Sequence, residues 1–309
     1  MTAGRRRSVT DETGKSLQTN RFIGGLVAIL AVIFLLHEWT LAESPADSDW
    51  EPALSHLNKE LLPEDGILIS PTWHAYPGKK IGPFLSRAGH DGHLLHADPL
   101  TLLDISRYPR IWVLTPQGEV PPLLQTCQSI EGVSPVGLCL WQRDIRAPLV
   151  DFIDKLPQAK VHRSGKRKNI IKCDWKKKRH QCKTSKRMYD VRAFVGEVGD
   201  TRRHSIFAHP YPSNGKLEIL YRKLRRGDTL TVSYGNALRG VRMNQGAPVV
   251  FSVFVDDELI HEAQIEIDDF TWNTVELRVP SGDKTCDYRF VVTSDDSSWR
   301  HFFFDGAAF

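Results

Sequence analysis

The sequence predicts a small α/β domain with a parallel sheet, followed by an all-β sandwich of jelly-roll type, behind one N-terminal transmembrane helix. Three observations carry this. An apolar run opens the chain, strand and helix patterns alternate through its middle, and period-two alternation takes over from about His204. The hydrophobic share of 41% and the charged share of 25% are those of a globular protein and exclude disorder over most of the 309 residues.

Arg5, Arg6, Arg7, Lys15 and Arg21 precede the apolar run Phe22–Leu36, FIGGLVAILAVIFLL, which His37, Glu38 and the milder stretch Trp39–Ala42 follow. Through Ala42 the segment reaches the roughly 20 residues that cross a bilayer core. The basic flank keeps the N-terminus cytoplasmic and sends the rest outward. The rival reading is a cleaved signal peptide ending at Ala42, with Thr40 at the third position back. Either way the bulk of the chain is extracytoplasmic. The expected organisation is a basic tail at 1–21, an anchor at 22–42, the α/β domain at 43–158, a basic linker or hairpin at 159–203 and the sandwich at 204–309.

In the α/β domain, Pro52–Leu62 reads as a helix and Gly66–Ser70 as a buried strand. Ile81, Phe84 and Leu85 lie at helical spacing after Pro77, and Pro99–Ser106 reads as another short helix. Arg110–Leu114 and Val136–Trp141 are the next strands, and Leu149, Phe152, Ile153 and Leu156 place a helix over Pro148–Leu156. Strands alternating with helices imply a parallel sheet. No Gly-rich phosphate cradle or nucleophile elbow follows these strands, so no catalytic residue and no cofactor is assigned. His90, His93 and His96, with His74 upstream, have spacing that zinc could use, but Gly89 and Gly92 make this a loop, and no metal is assigned.

The five cysteines form no CxxC pair. In an exported chain Cys127 with Cys139, and Cys173 with Cys182, are candidate disulfides, each closing a loop of about ten residues and contributing about 2–3 kcal/mol. Cys286 is then left free. Positive charge concentrates in AKVHRSGKRKNIIKCDWKKKRHQCKTSKR, residues 159–187, where Lys176, Lys177, Lys178 and Arg179 are candidate anion-binding residues for an acidic polysaccharide or lipid headgroups. The segment belongs to no nucleic-acid module, so specific nucleic-acid binding is not expected.

Beyond His204, Ser205–Ala208, Leu217–Tyr221, Thr229–Tyr234, Val249–Val255, Leu259–Ile267, Thr274–Val279, Tyr288–Thr293 and His301–Phe304 read as strands separated by turn formers. The order LEILYRKLRRGDTLTVSYG, PVVFSVFVDDELI, TVELRVPSG, YRFVVTS and RHFFFD resembles jelly-roll carbohydrate-binding-like modules attached to bacterial envelope glycosyltransferases and glycosidases. In the middle, LLDISRYPRIWVLTP looks like the extracytoplasmic part of membrane glycosyltransferases that use lipid-linked sugars. The many membrane spans and acidic first loop on which those enzymes' catalysis depends are not in this chain. The resemblance implies a non-catalytic, membrane-anchored glycan-binding or glycosyltransferase-accessory protein, whose partners are the membrane, a glycan and an envelope glycosyltransferase. A scaffold acting through the basic segment and a glycan-active enzyme are the alternatives. Because sugars are gripped by aromatic faces flanked by planar polar groups, Trp272, Trp299, Asn236, Asn244 and Asp269 are the candidate ligand residues. Phe270 and Trp272, two apart, would share one strand face, which favours Trp272 as core.

Overall fold

Hydrophobic alternation decides most of the architecture, and each sheet can be built from it. The computed structural model describes residues 27, 29–33, 45–71, 81–85, 94–95, 100–165, 170–182, 187–199, 201–211, 215–237 and 245–309. The chain divides into two compact units, Met1–Ser48 and Asp49–Phe309. In the first, residues 27 and 29–33 are helical, and among the described residues no helix is long and apolar enough to cross a membrane. The basic tail and most of the expected anchor lie outside the described residues.

The second unit opens with helix α1 (Glu51–Glu60), which has Pro52 in its first turn and buries Ala53 and Leu57. Strand β1 (Gly66–Ile69) runs parallel to β2 (Leu94–Leu95) and to β3 (Arg110–Thr115). Both faces of β1 and β3 are covered, which is why they read as unbroken apolar runs. Ile67, Ile69, Trp112 and Leu114 pack with Trp50, Leu57, Ile81 and Leu85, whereas Leu68, Ile111 and Val113 pack with Ile105, Leu124 and Trp141. Beside β1, Asp65 is fully buried and accepts from Arg110 Nε at 2.8 Å and Trp112 Nε1 at 2.9 Å. Burial pushes its carboxyl up, but these donors and the Leu62 N–H outweigh it and hold it below the usual range. Helix α2 (Leu102–Ser106) starts at a reciprocal capping box between Thr101 and Asp104.

The sheet is mixed, not parallel. β5 (Gly137–Gln142) pairs antiparallel with β3, and β4 (Gln128–Ser129) pairs antiparallel with β5. The helical content of the connection from β3 to β5 is one short turn at Pro122–Leu124, which is no crossover helix of the kind a parallel return needs. The Cys127–Cys139 disulfide staples that connection onto β5.

Pro148–Leu156 is not a helix. Val150–Asp151 form β6, whose flanks donate from Leu149 N to Ala308 O and from Phe152 N to Gly306 O. Asp151 Oδ1 then caps the Ile153 and Asp154 N–H groups. The four apolar side chains are still gathered into the core, but by a turn, so helical spacing arose without a helix. The Phe152 ring meets Tyr221, Tyr288 and Phe290 edge-on at 4.9–5.1 Å.

The eight expected sandwich strands are present as β11 (Thr201–Phe207), β12 (Lys216–Arg225), β13 (Thr229–Asn236), β14 (Val249–Val255), β15 (Glu258–Ile265), β16 (Asn273–Arg278), β17 (Thr285–Ser294) and β18 (Phe302–Ala308). One sheet runs β11-β18-β13-β16 and the other β12-β17-β14-β15, the strand order of a two-sheet jelly roll. Asp256 and Asp257, both at positive φ, make the two-residue turn between β14 and β15.

The segment read as a basic linker or hairpin adds strands to both sheets. β7 (Lys160–Ser164), β8 (Ile170–Lys176) and β9 (Arg179–Cys182) extend the second sheet beyond β12, and β10 (Arg192–Val198) extends the first beyond β11. Alternation survives under the charge, since Val161, Arg163, Cys173 and Cys182 are buried. Cys173 and Cys182 face each other across β8 and β9 and form the second disulfide, while Cys286 is a buried free thiol.

Arg107, at the end of α2, ties the α/β layer to the sandwich. Its Nε donates to Asp151 Oδ2 at 2.5 Å, its Nη1 to Asp305 Oδ2 at 2.8 Å and its Nη2 to the other Asp305 oxygen. Burial pushes Asp305 up to about 6 against the pull of Arg107, and the two carboxylates hold the guanidinium pKa well above its ordinary value despite burial. With Asp305 titrating above its ordinary 3.8, the native state loses stability as pH rises through that interval. Removing the cation widens the interval. Arg107→Leu is therefore expected to cost about 3–5 kcal/mol near pH 8 and distinctly less near pH 5. Thermal unfolding of both chains at the two pH values checks this, and a deficit independent of pH would refute it. Phe152→Ala is expected to cost about 3–5 kcal/mol by denaturant titration, as for any fully buried ring.

Candidate functional site

One end of the sandwich is a rim of loops placed by the ends of its strands. Residues 236–237 leave β13, 245–248 lead into β14, 266–272 join β15 to β16, and 295–301 join β17 to β18. Arg300 is fully buried beneath them and crosslinks two loops, with Nη1 donating to Ile267 O at 3.1 Å and Nη2 to Gln245 O. Burial lowers its pKa. Its Nε, also buried, has no acceptor among the described residues. Gly246 has φ +89°, and a Cβ there would lie 2.4 Å from Ser298 O, so only glycine lets these loops close on the guanidinium.

Four of the five candidate ligand residues lie on these loops or at their ends. Asn236 is buried, donates from Nδ2 to Glu266 O at 3.4 Å, and keeps an Oδ1 without a donor among the described residues. Asp269 organises its own loop, accepting from Thr271 N at 2.9 Å, Thr271 Oγ1 at 2.7 Å and Asn273 Nδ2 at 3.3 Å. Trp272 is half-buried against Val198, Phe207, Ala237 and Phe303, donates from Nε1 to Thr201 O at 3.2 Å, and has Arg203 5.4 Å from its ring centre. Trp299 is half-buried at φ +57°, with its ring 6.5 Å from His301. Asn244 lies outside the described residues. The same-face rule does not reach Phe270 and Trp272, because 266–272 is a turn; Phe270 is 49% exposed while Trp272 packs inward.

Trp299 is the unusual member. A bulky side chain in the left-handed region costs about 1–2 kcal/mol, and such cost concentrates at binding sites. Arg300 and His301 escaped sequence reasoning. In SSWRHFF nothing marks the arginine, since its acceptors are backbone carbonyls of remote loops.

The candidate anion-binding residues divide. Lys177 and Lys178, at φ +52° and +58°, form the two-residue turn between β8 and β9, with Lys176 exposed before it. Arg179 forms an ion pair with Asp190, Nε to Oδ2 at 3.2 Å. A groove of about 820 Å³ opens beside the outer face of β7, β8 and β12, lined among others by Lys160, His162, Lys172, Lys216, Glu218 and Arg222.

Among the described residues no group of three His, Cys, Asp or Glu side chains is placed to hold a metal ion. The His74, His90, His93 and His96 loop lies outside them. The paired acids Asp151 and Asp305 are spent on Arg107 in the interior.

No family model and no curated protein matches the chain. Among solved structures it is similar to the second CBM51 and INT domains of ZmpB from Clostridium perfringens, at 16% identity over 48% of this chain and 26% of that one, TM-score 0.27. It is also similar to the CBM51 of C. perfringens GH95 in complex with methyl-galactose, at 15% identity over 48% of this chain and 80% of that one, TM-score 0.27. A family 35 carbohydrate-binding module from an environmental isolate matches at 15% identity over 36% of this chain and 74% of that one, TM-score 0.22. The chain thus spans about a quarter of the first of these. Matches of this size are partial overlays and carry no assignment.

If the rim is a binding platform, Trp299→Asn, which tolerates positive φ, changes stability by less than about 1 kcal/mol in either direction while glycan retention is lost. Paired thermal unfolding and affinity electrophoresis read this. A large loss of stability would make Trp299 a packing residue instead.

Proposed function

We propose that this chain is a non-catalytic glycan-binding protein, held outside the cytoplasm by an N-terminal membrane anchor, that retains an envelope glycan or serves a glycosyltransferase as its accessory. The observation that supports it is the placement of Trp299, Trp272, Asn236 and Asp269 on or beside loops at one end of the sandwich, two of which the buried Arg300 crosslinks. An indole that pays for its backbone angle without burying itself fully is a ready platform for the apolar face of a sugar ring. The Asp269 carboxylate, on the loop between β15 and β16, offers a planar polar group of the kind that reads hydroxyls. The anchor reading rests on the basic residues before Phe22 and the apolar run after them.

The full-length chain in a non-glycosidic detergent, screened on a glycan array at low and at moderate salt, tests this. Binding to defined neutral sugars is expected to survive salt, because stacking and neutral hydrogen bonds are little screened. Absence of any neutral-sugar binding, together with unchanged envelope polysaccharide in a deletion strain, would overturn the reading.

A further inference from the structure

We infer that the groove beside β7, β8 and β12 is a second binding surface, distinct from the loop rim, and that it takes an acidic polysaccharide bearing carboxylate or sulfate groups. Strand register builds it. Lys172 pairs across with His162 and His162 with Glu218, so three polar side chains form one row over three strands; Ile170, Ser164 and Lys216 form the next row. Neighbouring strands lie about 4.8 Å apart, so the two rows space their polar groups closely, with Ile170 as the one apolar member. Alternation directs Lys160, His162 and Ser164 away from the core, because Val161 and Arg163 point into it.

The charge on this face is only partly compensated. Four cations line the groove, Lys160, Lys172, Lys216 and Arg222, against two carboxylates, Asp174 and Glu218. Glu218 is already matched by Lys216 at 2.8 Å and by Arg289 at 3.7 Å from outside the groove. Arg222 reaches Asp287 at 3.8 Å. Lys160 and Lys172 are exposed and have no ion pair among the described residues. The surface is also stiff. Its outer strands are clipped by the Cys173–Cys182 bridge, and Arg163 beneath is fixed by carbonyl bonds to Tyr189 at 2.9 Å and His209 at 2.8 Å. The backbone of this face is thus held in place before binding, and the ordering cost falls on the lysine side chains.

A glycan fits better than a nucleic acid or a lipid surface. Trp175 is half-buried against the sandwich core and meets His180 in a T-shaped contact at 4.9 Å, so it is not a freely exposed stacking platform for bases. The groove mixes charged and polar side chains with apolar ones such as Ile170, and it is a recess lined by lysines and not a convex apolar patch that inserts into a bilayer.

The test uses the full-length chain in a non-glycosidic, non-ionic detergent, with oligogalacturonate as probe and its methyl ester as the neutral counterpart. Lys160→Gln with Lys172→Gln is expected to weaken oligogalacturonate binding about tenfold, and Lys177→Gln with Lys178→Gln, an equal charge loss at the turn, less than about twofold. Unchanged thermal midpoints show that both double variants fold. Trp299→Asn is expected to leave this binding intact, so failure here is read separately from failure of the rim. The proposal is overturned by equal loss in both double variants or by equal binding of the methyl ester. It is likewise overturned by tighter binding of single-stranded DNA or phosphatidylglycerol vesicles than of oligogalacturonate, or by no binding.

Discussion

Arg107 places a guanidinium where Asp305 has no exposed surface and Asp151 very little, and the arrangement of the layers depends on that contact. Taking such charges out of water costs several kcal/mol per ion and is offset only when each is fully met. Here the fork spans both oxygens of Asp305, and Asp151, beyond its bond to Nε, caps the turn that carries Phe152 into the sandwich. A one-residue slip of β6 along β18 would turn Asp151 to the other face and strand the remaining charges. The contact therefore selects one register and one placement of the α/β layer on the jelly roll, at some expense in raw stability.

Where burial follows a simple period, sequence and structure agree. Leu217, Ile219 and Tyr221, or Phe251, Val253 and Val255, recur at period two because they face the sandwich core, and all eight strands were legible, although β18 is buried on both faces. The two short disulfides were legible too, since both pairs are near neighbours in sequence. The helix over Pro148–Leu156 was misread because a turn can gather Leu149, Phe152, Ile153 and Leu156 as well as a helix can. Its backbone partners, Ala308 and Gly306, lie some 150 residues away and leave no local trace. Direction within the small sheet was likewise hidden, because an apolar run such as Arg110–Leu114 is the same whichever way its neighbour runs.

The basic segment teaches a different lesson. Its charge made it look like a linker, yet inward-facing Val161, Arg163 and Cys173 interleave with outward-facing Lys160, His162 and Lys172, which is the pattern of a sheet with one wet face. Lysines that seemed equivalent in sequence were sorted by the fold into turn residues and wall residues, while Arg179 was taken up by Asp190. The rim shows the opposite limit. Its aromatic and amide members could be nominated by residue type, whereas Arg300 could not, because its partners are backbone oxygens that only the closed loops bring together.

The pairing of β6 with β18 also shapes how the unit is made. Asp151 bonds opposite Ala307, so a strand synthesised midway must wait for one made far later, and the entropy of closing so long a loop falls on the folding barrier. The β8–β9 hairpin closes locally and can form early, but Phe152 and Arg107 have no finished surroundings until β18 arrives. Folds dominated by such distant pairings acquire their structure slowly. The same delay leaves the half-made sheets open longer to the wrong partner.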